Sequence, residues 1–271
     1  MMIWAVRMGA GLIQVNMFGF LPVSDPFEIY AVFAIALLAG VVKGVVGFAL
    51  PLILLSGLGS LVSAEIALSA MILPTLLGNV WQALRYGIPA VLQSIRTHRR
   101  FILTTCIVLL ISAQAVPYVN SNMLLLSLGV VIFSFSAMQL MGWQPRIGNP
   151  TPAVQIGVGA ITGALGGISS VWGPTTVMYL TALKTEKTEQ IRTQGVIYGL
   201  GAITLAVAHT GSGILNTDTA RFSALLVVPS MLGLVVGFAI QDRINQQVFG
   251  RVTMLVLLIA GLNLIRRGLL G

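Results

Sequence analysis

A single lysine in an otherwise apolar segment is the residue of this chain best suited to binding chemistry. Lys43 lies within GVVKGVVGFALP, residues 40–51, deep inside a predicted membrane span. A charged side chain at that depth costs at least about 2.5–3.5 kcal/mol on insertion scales, and such residues usually mark a transport pathway. We therefore expect Lys43 to face a cavity and to supply the counter-charge of a small anion. The alternative is that the lysine reaches a polar interface or bonds carbonyls that a broken helix has freed.

Residues that break helices surround this lysine and recur later in the chain. The glycine spacing is the same in both places, Gly40, Gly44 and Gly47 before Pro51 and Gly159, Gly163 and Gly166 before Pro174, although the second glycine-to-proline stretch is four residues longer. Glycine and proline loosen or end helices, and unpaired backbone is tolerated at membrane depth only where protein buries it or where it lines a wet cavity. Two such breaks in corresponding places indicate a duplicated secondary transporter. The alternative is that the glycines only let helices pack closely.

The two breaks also bring hydrogen-bond donors to the depth of the lysine. If short half-helices begin near the two prolines, their first turns expose unpaired N–H groups and the positive end of the helix dipole. Two such ends would hold a small oxyanion, and hydroxyl groups beside the second break would add donors. The predicted substrate-binding residues are Lys43, Gly44, Gly47, Pro51, Asn79, Gly166, Gly167, Ser169, Ser170, Gly173, Pro174, Thr175, Thr176 and Gln194.

Further polar side chains within the predicted spans have two interpretations. Asn79, Gln82, Gln194 and Tyr198 either line the path or join neighbouring helices, and the pattern favours neither. His209, near the end of a span, is a candidate for proton coupling because its charge changes near neutral pH. A histidine at that place is more often an ordinary interfacial residue.

The composition identifies the class of protein. Of the 271 residues, 56% are hydrophobic and only 8% are charged, against about 25% charged in soluble domains. A soluble protein of this size would lack the charges to cover its surface, so the chain is an integral membrane protein. The net charge of +8 lies mostly in short loops, which favours membrane topology over nucleic-acid binding as its explanation. The single cysteine excludes an internal disulfide and a cysteine metal cluster, and no cofactor is expected.

The predicted fold is an all-α polytopic membrane protein with about eight hydrophobic segments in two homologous halves. Residues 1–29 form a leader or an interfacial segment such as a short helix, residues 30–145 the first transmembrane repeat and residues 146–271 the second. Each half begins with a broken helix and a short arm: 30–47 with 50–60, and 153–172 with 174–183. The other predicted spans are 64–84, interrupted by Pro74 and Gly78, then 101–119, 122–142, 193–212, 220–240 and 251–266. A basic loop over 85–100 and a mixed-charge loop beginning at Lys184 separate some of them.

Two arrangements of the short arms are compatible with this pattern. If each broken segment crosses once, there are eight spans with both termini inside, and the Lys and Arg other than Lys43, which lies within the membrane, divide nine inside to five outside. If each arm folds back as a hairpin, each half crosses three times, the halves are inverted, and the division is ten to four. The orientation rule favours the second by one residue. The hairpin arrangement also places both breaks at mid-membrane, facing each other.

The paired breaks, GVVKGVVGFALP and GAITGALGGISSVWGP, in a chain of 271 residues with about eight hydrophobic segments, resemble the TauE/SafE family of sulfite-exporter-like permeases. The resemblance covers nearly the whole chain from about residue 30. It implies a multi-pass protein of the bacterial inner membrane that transports a small sulfur-containing anion, such as sulfite or an organosulfonate. The first break in that family is often a run of three glycines before the proline, whereas here Phe48, Ala49 and Leu50 separate Gly47 from Pro51. This departure leaves the identity of the substrate open.

Rival functions belong to other classes. An intramembrane enzyme is disfavoured because the deep spans carry no carboxylate pair, no His–Glu motif and no Ser with a His base in reach, and the chain has no Walker motif. A non-sulfur carboxylate transporter, a channel and a non-transporting membrane scaffold subunit are the alternatives to a sulfur-anion permease. The expected partners are a small anion and the lipid bilayer, and a homo-oligomer is left open.

Overall fold

The computed structural model describes residues 5–7, 12–14, 25–59, 61–62, 64–113, 121–143, 147, 150–169, 172–211 and 217–270. As predicted, these residues are almost entirely helical. The helices are α1 (Pro26–Val46), α2 (Leu50–Leu58), α3 (Ala64–Ala70), α4 (Ile72–Leu84), α5 (Ile88–Ala113), α6 (Ser121–Leu140), α7 (Pro152–Ser169), α8 (Gly173–Ala182), α9 (Lys187–Gly211), α10 (Thr217–Arg243) and α11 (Gln246–Leu270). Two short strands, β1 (Ala5–Arg7) and β2 (Leu12–Gln14), pair antiparallel before the helices. The short helix considered for the N-terminal segment is therefore not formed in those residues.

Three helices of the described part are long and apolar enough to cross a membrane. They are α1, residues Thr219–Arg243 of α10, and α11. Large apolar side chains also point outward from other helices, as Leu103 and Ile111 do on α5. Continuous exposed apolar surface of this kind is typical of a protein face that contacts lipid.

The first break is a tight turn that reverses the chain. Gly47 ends α1 with φ of 85°, and its N–H donates to the Lys43 carbonyl at 2.7 Å. This left-handed cap suits glycine, which has no Cβ to clash. The short arm α2 then runs back along α1, so that Gly57 contacts Ile35. Its buried leucines, Leu54 and Leu58, pack in the same cluster as the apolar residues of α1.

The second break also returns its arm toward the start of the preceding helix. α7 ends at Ser169 and α8 begins at Gly173, with Pro174 in the first turn. The N–H of Ile147, just before α7, donates to the carbonyl of Ala182 at the end of α8, at 2.9 Å. Both short arms therefore fold back toward the start of the helix that precedes them.

Close helix packing explains four of the motif glycines. A Cβ at Gly40 would lie 2.1 Å from the Ser230 carbonyl oxygen of α10, and one at Gly163 would lie 2.5 Å from the Thr105 carbonyl oxygen of α5. Gly44 and Gly159 make similar contacts with the same two helices. Close packing thus accounts for glycine at these four positions, and the helix break is confined to the residues after them.

The long helices pack in four main pairs. α1 lies parallel to α10 and α5 lies parallel to α7, whereas α4 with α9 and α6 with α11 are antiparallel. α1 and α4 run in the same direction, since Lys43 meets Asn79 and Gly47 meets Gln82. This direction requires the chain to return between them, which the α2 arm and the residues after it accomplish.

The predicted loops at 85–100 and after Lys184 were wrong in their extent. α5 already begins at Ile88, because Gly87 ends the turn with φ of 83° and Pro89 suits a first helical turn. The helix bends at His98, whose φ and ψ are −107° and 19°. α9 likewise begins at Lys187, since Lys, Glu and Gln are good helix formers.

The interruption predicted at Pro74 and Gly78 lies elsewhere. α3 ends at Ala70 and α4 begins at Ile72, with Met71 between them. Pro74 stands in the first turn of α4, where its missing N–H removes no helical hydrogen bond. Gly78 lies within the helix and faces the aliphatic stem of Lys43.

Candidate functional site

The two breaks meet at a small cavity inside the helix bundle. Its volume is about 40 Å³, which is space for a few water molecules. The first break contributes Phe48, Ala49, Pro51 and Leu52; the second contributes Trp172, Gly173 and Pro174; the surrounding helices add Lys43, Thr75, Asn79 and Tyr198. The described residues thus place both broken segments and the lysine around one small space.

Lys43 is buried in this cavity with a neutral partner. Its side chain is only 1% exposed, and Nζ donates to Oδ1 of Asn79 at 2.5 Å. Nζ also lies 5.9 Å from the ring centroid of Tyr198, within the range of a cation–π contact. Among the described residues, no Asp or Glu forms an ion pair with Lys43. An ammonium has three donors, so hydrogens remain for a ligand.

Two further polar atoms in the cavity wall are unsatisfied in the described part of the chain. Nδ2 of Asn79 and Oγ1 of Thr75 are buried and have no hydrogen-bond partner there. A buried donor without a partner costs about 1–3 kcal/mol. Thr75 and Asn79 are four residues apart on α4, so they share one helix face. Together with Lys43 they form a set of donors that would suit a ligand rich in acceptors.

Both short arms present their N-terminal ends to the cavity. Pro51 and Pro174 stand in the first turns of α2 and α8, and both line the cavity. The first N–H groups of a helix have no intrahelical acceptor, and the helix dipole gives this end a partial positive charge. The two helix ends therefore make the cavity electropositive, and Lys43 adds a full positive charge when it is protonated.

Glutamines hold the first break from outside the cavity. Nε2 of Gln82 donates to the Gly47 carbonyl at 3.1 Å and to the Ile191 carbonyl at 2.6 Å. When the Gln194 amide nitrogen faces the same break, it donates to the carbonyls of Val46 and Gly47, both at 3.2 Å. These bonds satisfy carbonyls that the helix end leaves free.

Tyr198 supports the second break. Its hydroxyl donates to the Gly173 carbonyl at 2.8 Å, while its ring lines the cavity. A hydrogen bond thus joins the second break to α9, and the glutamine of α9 joins the same helix to the first break. One helix therefore ties both breaks together.

The predicted site residues, apart from the two threonines at the start of α8, fall into three groups. Those lining the cavity are Lys43, Pro51, Asn79, Gly173 and Pro174. Those at the breaks or in helix contacts are Gly44 against α10, Gly47 at the turn, Gly166 against Trp172, Gly167 buried in α7, and Gln194 at the first break. Those whose side chains lie outside the described part are Ser169, which ends α7, and Ser170; His209 belongs with them.

The hydroxyls of Thr175 and Thr176 turn back on their own helix. Both donate to the Trp172 carbonyl at 3.0 Å. They strengthen the start of α8 in this structure, and neither residue lines the 40 Å³ cavity.

Sequence reasoning missed several residues of the cavity wall. In the sequence, Phe48 and Trp172 each lie between a glycine of the break and the proline that follows it. Both residues line the cavity, and the side chain of Phe48 approaches Gly173. Thr75 was also missed, although its spacing of four residues from Asn79 was a usable signal. Phe48 and Trp172 could have been identified by the presence of an aromatic residue inside each break.

The second motif has no lysine. When its glycines are aligned with those of the first, Thr162 takes the place of Lys43. Thr162 is fully buried and is one of the residues that line a separate, largely apolar cavity of about 410 Å³ beside α6, α7 and α8. The two motifs therefore share their glycine spacing, but only the first contains a charged residue.

A comparison with known families gives one result that covers most of the chain. The model of a family described as "Sulfite exporter TauE/SafE" matches residues 32–264. The match includes both breaks and every helix that lines the cavity. No curated protein and no solved structure matches the chain significantly.

Proposed function

Because the chain belongs to the sulfite exporter TauE/SafE family, we propose that it carries a small sulfur-containing anion across the bacterial inner membrane through the cavity between its two breaks. Members of this family are multi-pass membrane transporters and not enzymes, and the family implies an anionic substrate.

The buried lysine is the observation that carries the proposal. Lys43 has no carboxylate partner among the described residues, and its hydrogen-bond partner, Oδ1 of Asn79, is neutral. Burying an ammonium without a counter-charge is costly. An anion in the cavity would supply that counter-charge, and two helix N-termini would add to its binding.

The geometry of the donors favours an oxyanion of sulfur. Sulfite and organosulfonates present three oxygens around one sulfur atom, and the donors of this cavity come from three directions: α2, α8, and the pair Lys43 and Asn79. A carboxylate presents two oxygens in one plane and would leave more donors unpaired. A non-sulfur carboxylate is nevertheless the alternative substrate that the experiment must include.

Uptake into proteoliposomes tests this function. The purified protein is reconstituted and offered sulfite, sulfate, thiosulfate, sulfoacetate, taurine and acetate, beside Lys43→Met and the control Lys184→Met, which changes an exposed lysine. We expect saturable movement of one sulfur anion, at least about tenfold slower in Lys43→Met and unchanged in the control. Equal rates in both variants would refute the role of Lys43, and preference for acetate would refute the sulfur assignment.

We further propose that residues 30–145 and 146–271 are repeats inserted with opposite orientation. The packing supports this. The first long helix of each half lies parallel to a long helix of the other half: α1 lies along α10, and α7 lies along α5. The α4–α9 and α6–α11 pairs, which join equivalent helices, are antiparallel. An inverted arrangement requires that pattern, because equivalent helices must then run in opposite directions.

A further inference from the structure

The side chain of Lys43 can gain and lose a proton. During transport its site must also alternate between a state that holds the anion and a state that does not. Resting on the proposed function, we propose that Lys43 takes up one proton with each anion, so that the protein is a proton–anion cotransporter. The empty state holds the neutral amine, and the loaded state holds the ammonium paired with the anion.

The burial of Lys43 requires this difference between the two states. The side chain is 1% exposed, and its hydrogen-bond partner, Oδ1 of Asn79, is neutral. A neutral amine still donates to that oxygen, whereas an ammonium without a counter-charge at this depth loses its hydration with no ionic compensation. When an anion enters, its charge stabilises the ammonium instead.

The groups around Lys43 offer no other site for the proton. From α4 it faces Asn79 and the backbone of Gly78, and from α9 it faces Tyr198, whose hydroxyl donates to the Gly173 carbonyl. The two breaks contribute Phe48, Trp172 and backbone. Within the described residues of the cavity wall, Tyr198 is the single titratable neighbour and no neighbour is charged. The proton must therefore come from water together with the anion.

The cycle balances without any further reactant. On one side of the membrane a proton from water binds Nζ of Lys43 as the anion enters the cavity. On the other side the anion leaves and the proton returns to water, so the site crosses empty and neutral. A monovalent anion then moves with no net charge, and a divalent anion moves one negative charge. This assigns coupling to Lys43, whereas the sequence analysis considered His209 as a candidate and favoured an ordinary interfacial role for it.

The test measures protons with an anion that does not itself titrate near pH 8. Thiosulfate and sulfoacetate meet that condition, whereas sulfite does not. Full-length protein is reconstituted in vesicles that contain a pH-sensitive dye, with equal pH on both sides and the membrane potential clamped. We expect about one proton to enter with each anion. Saturable anion entry without internal acidification would overturn the coupling while leaving the transport function intact, whereas no saturable entry of any anion in the panel would overturn both.

Lys43→Arg identifies the group that carries the proton, because arginine keeps its charge at every accessible pH. We expect this variant to exchange labelled internal anion for external anion, but to lose net uptake and proton entry at least tenfold, since its empty site stays charged. The matched control, Lys184→Arg, should retain one proton per anion. Net uptake with a proton in Lys43→Arg would overturn the proposal. If Lys43→Arg does not fold, the proton-to-anion ratio of the unmodified protein decides the question.

Discussion

At the scale of single residues, the neutrality of Asn79 decides whether Lys43 needs an external anion. Asn79→Asp places a carboxylate where Oδ1 now accepts from Nζ at 2.5 Å. The new side chain would satisfy the lysine internally and occupy the role of the substrate. We expect the variant to fold and to bind the transported anion at least about tenfold more weakly, or about 1.4 kcal/mol, in a titration of the purified protein.

Asn245→Asp is the control for that change. Asn245 lies at the start of α11, where Oδ1 accepts from the Val248 N–H at 2.8 Å, and an aspartate caps a helix as well as an asparagine does. Anion affinity should be unchanged in this control. An Asn79→Asp variant with normal affinity would show that Lys43 does not bind the anion.

Thr75 tests whether the unsatisfied hydroxyl serves a ligand. Its Oγ1 is buried without a partner in the described part of the protein, so Thr75→Val removes a polar group that the empty site does not use. We expect unchanged or higher thermal stability, together with a three- to tenfold weaker anion affinity, on the order of 1 kcal/mol. Lower stability with unchanged affinity would mean that the hydroxyl bonds within the protein.

At the scale of helices, the contact between α1 and α10 depends on the absence of side chains. A Cβ at Gly44 would lie 2.6 Å from both the Gly237 Cα and the Leu234 carbonyl oxygen. Because backbone atoms cannot rotate away, Gly44→Ala must separate the helices, at about 1–3 kcal/mol. We expect a lower melting temperature in detergent and slower transport.

Gly157→Ala is the matched control at this scale. A Cβ at Gly157 meets nothing within 4 Å, and alanine favours a helix over glycine by up to about 1 kcal/mol. Its melting temperature should stay the same or rise. An equal fall in melting temperature in the two variants would mean that α1 and α10 pack less closely than the structure shows.

The breaks were predictable from the sequence, whereas the course of the chain after them was not. Glycine spacing and the two prolines marked where α1 and α7 end, because those residues act locally. The reversal of α2 depends on the contact of Gly57 with Ile35 and on Ala49, a non-glycine residue with φ of 76°. Such long-range packing and strain leave no local pattern. Thr75, Phe48 and Trp172 differ in this respect, because the spacing from Asn79 and the aromatic residue in each break were local signals that the prediction did not use.

Charge patterns misled the prediction of loops for a related reason. Arg96 and Lys187 belong to helices α5 and α9, although polar runs suggested irregular chain there. Helices extend beyond the lipid when neighbours pair with them: Arg192 donates to Ser94 at 2.8 Å, and Lys187 donates to the Ile244 carbonyl at 2.7 Å. Composition shows where the membrane ends but not where a helix ends.

At the scale of the whole molecule, the hairpin arrangement makes a prediction about sidedness. In a cysteine-free background, Cys106→Ala, single cysteines are introduced at Asp25, Met141, Asn245 and Leu270, all exposed. If the repeats are inverted and the basic end is cytoplasmic, an impermeant maleimide applied to spheroplasts labels the first and last positions alone. The eight-crossing arrangement predicts the opposite outcome at Asp25, Asn245 and Leu270.

The pairing of α1 with α10 also has a consequence for how the protein is made. Gly40 packs against Ser230, and at 5–20 residues per second the ribosome completes the second partner about 10–40 s after the first. Throughout that interval the helix that carries Lys43 has emerged without its neighbour. The newly made α1 must therefore be held by the insertion machinery or lie with its lysine directed toward the headgroups. Biogenesis, rather than transport, is then the step most sensitive to anything that delays the last two helices.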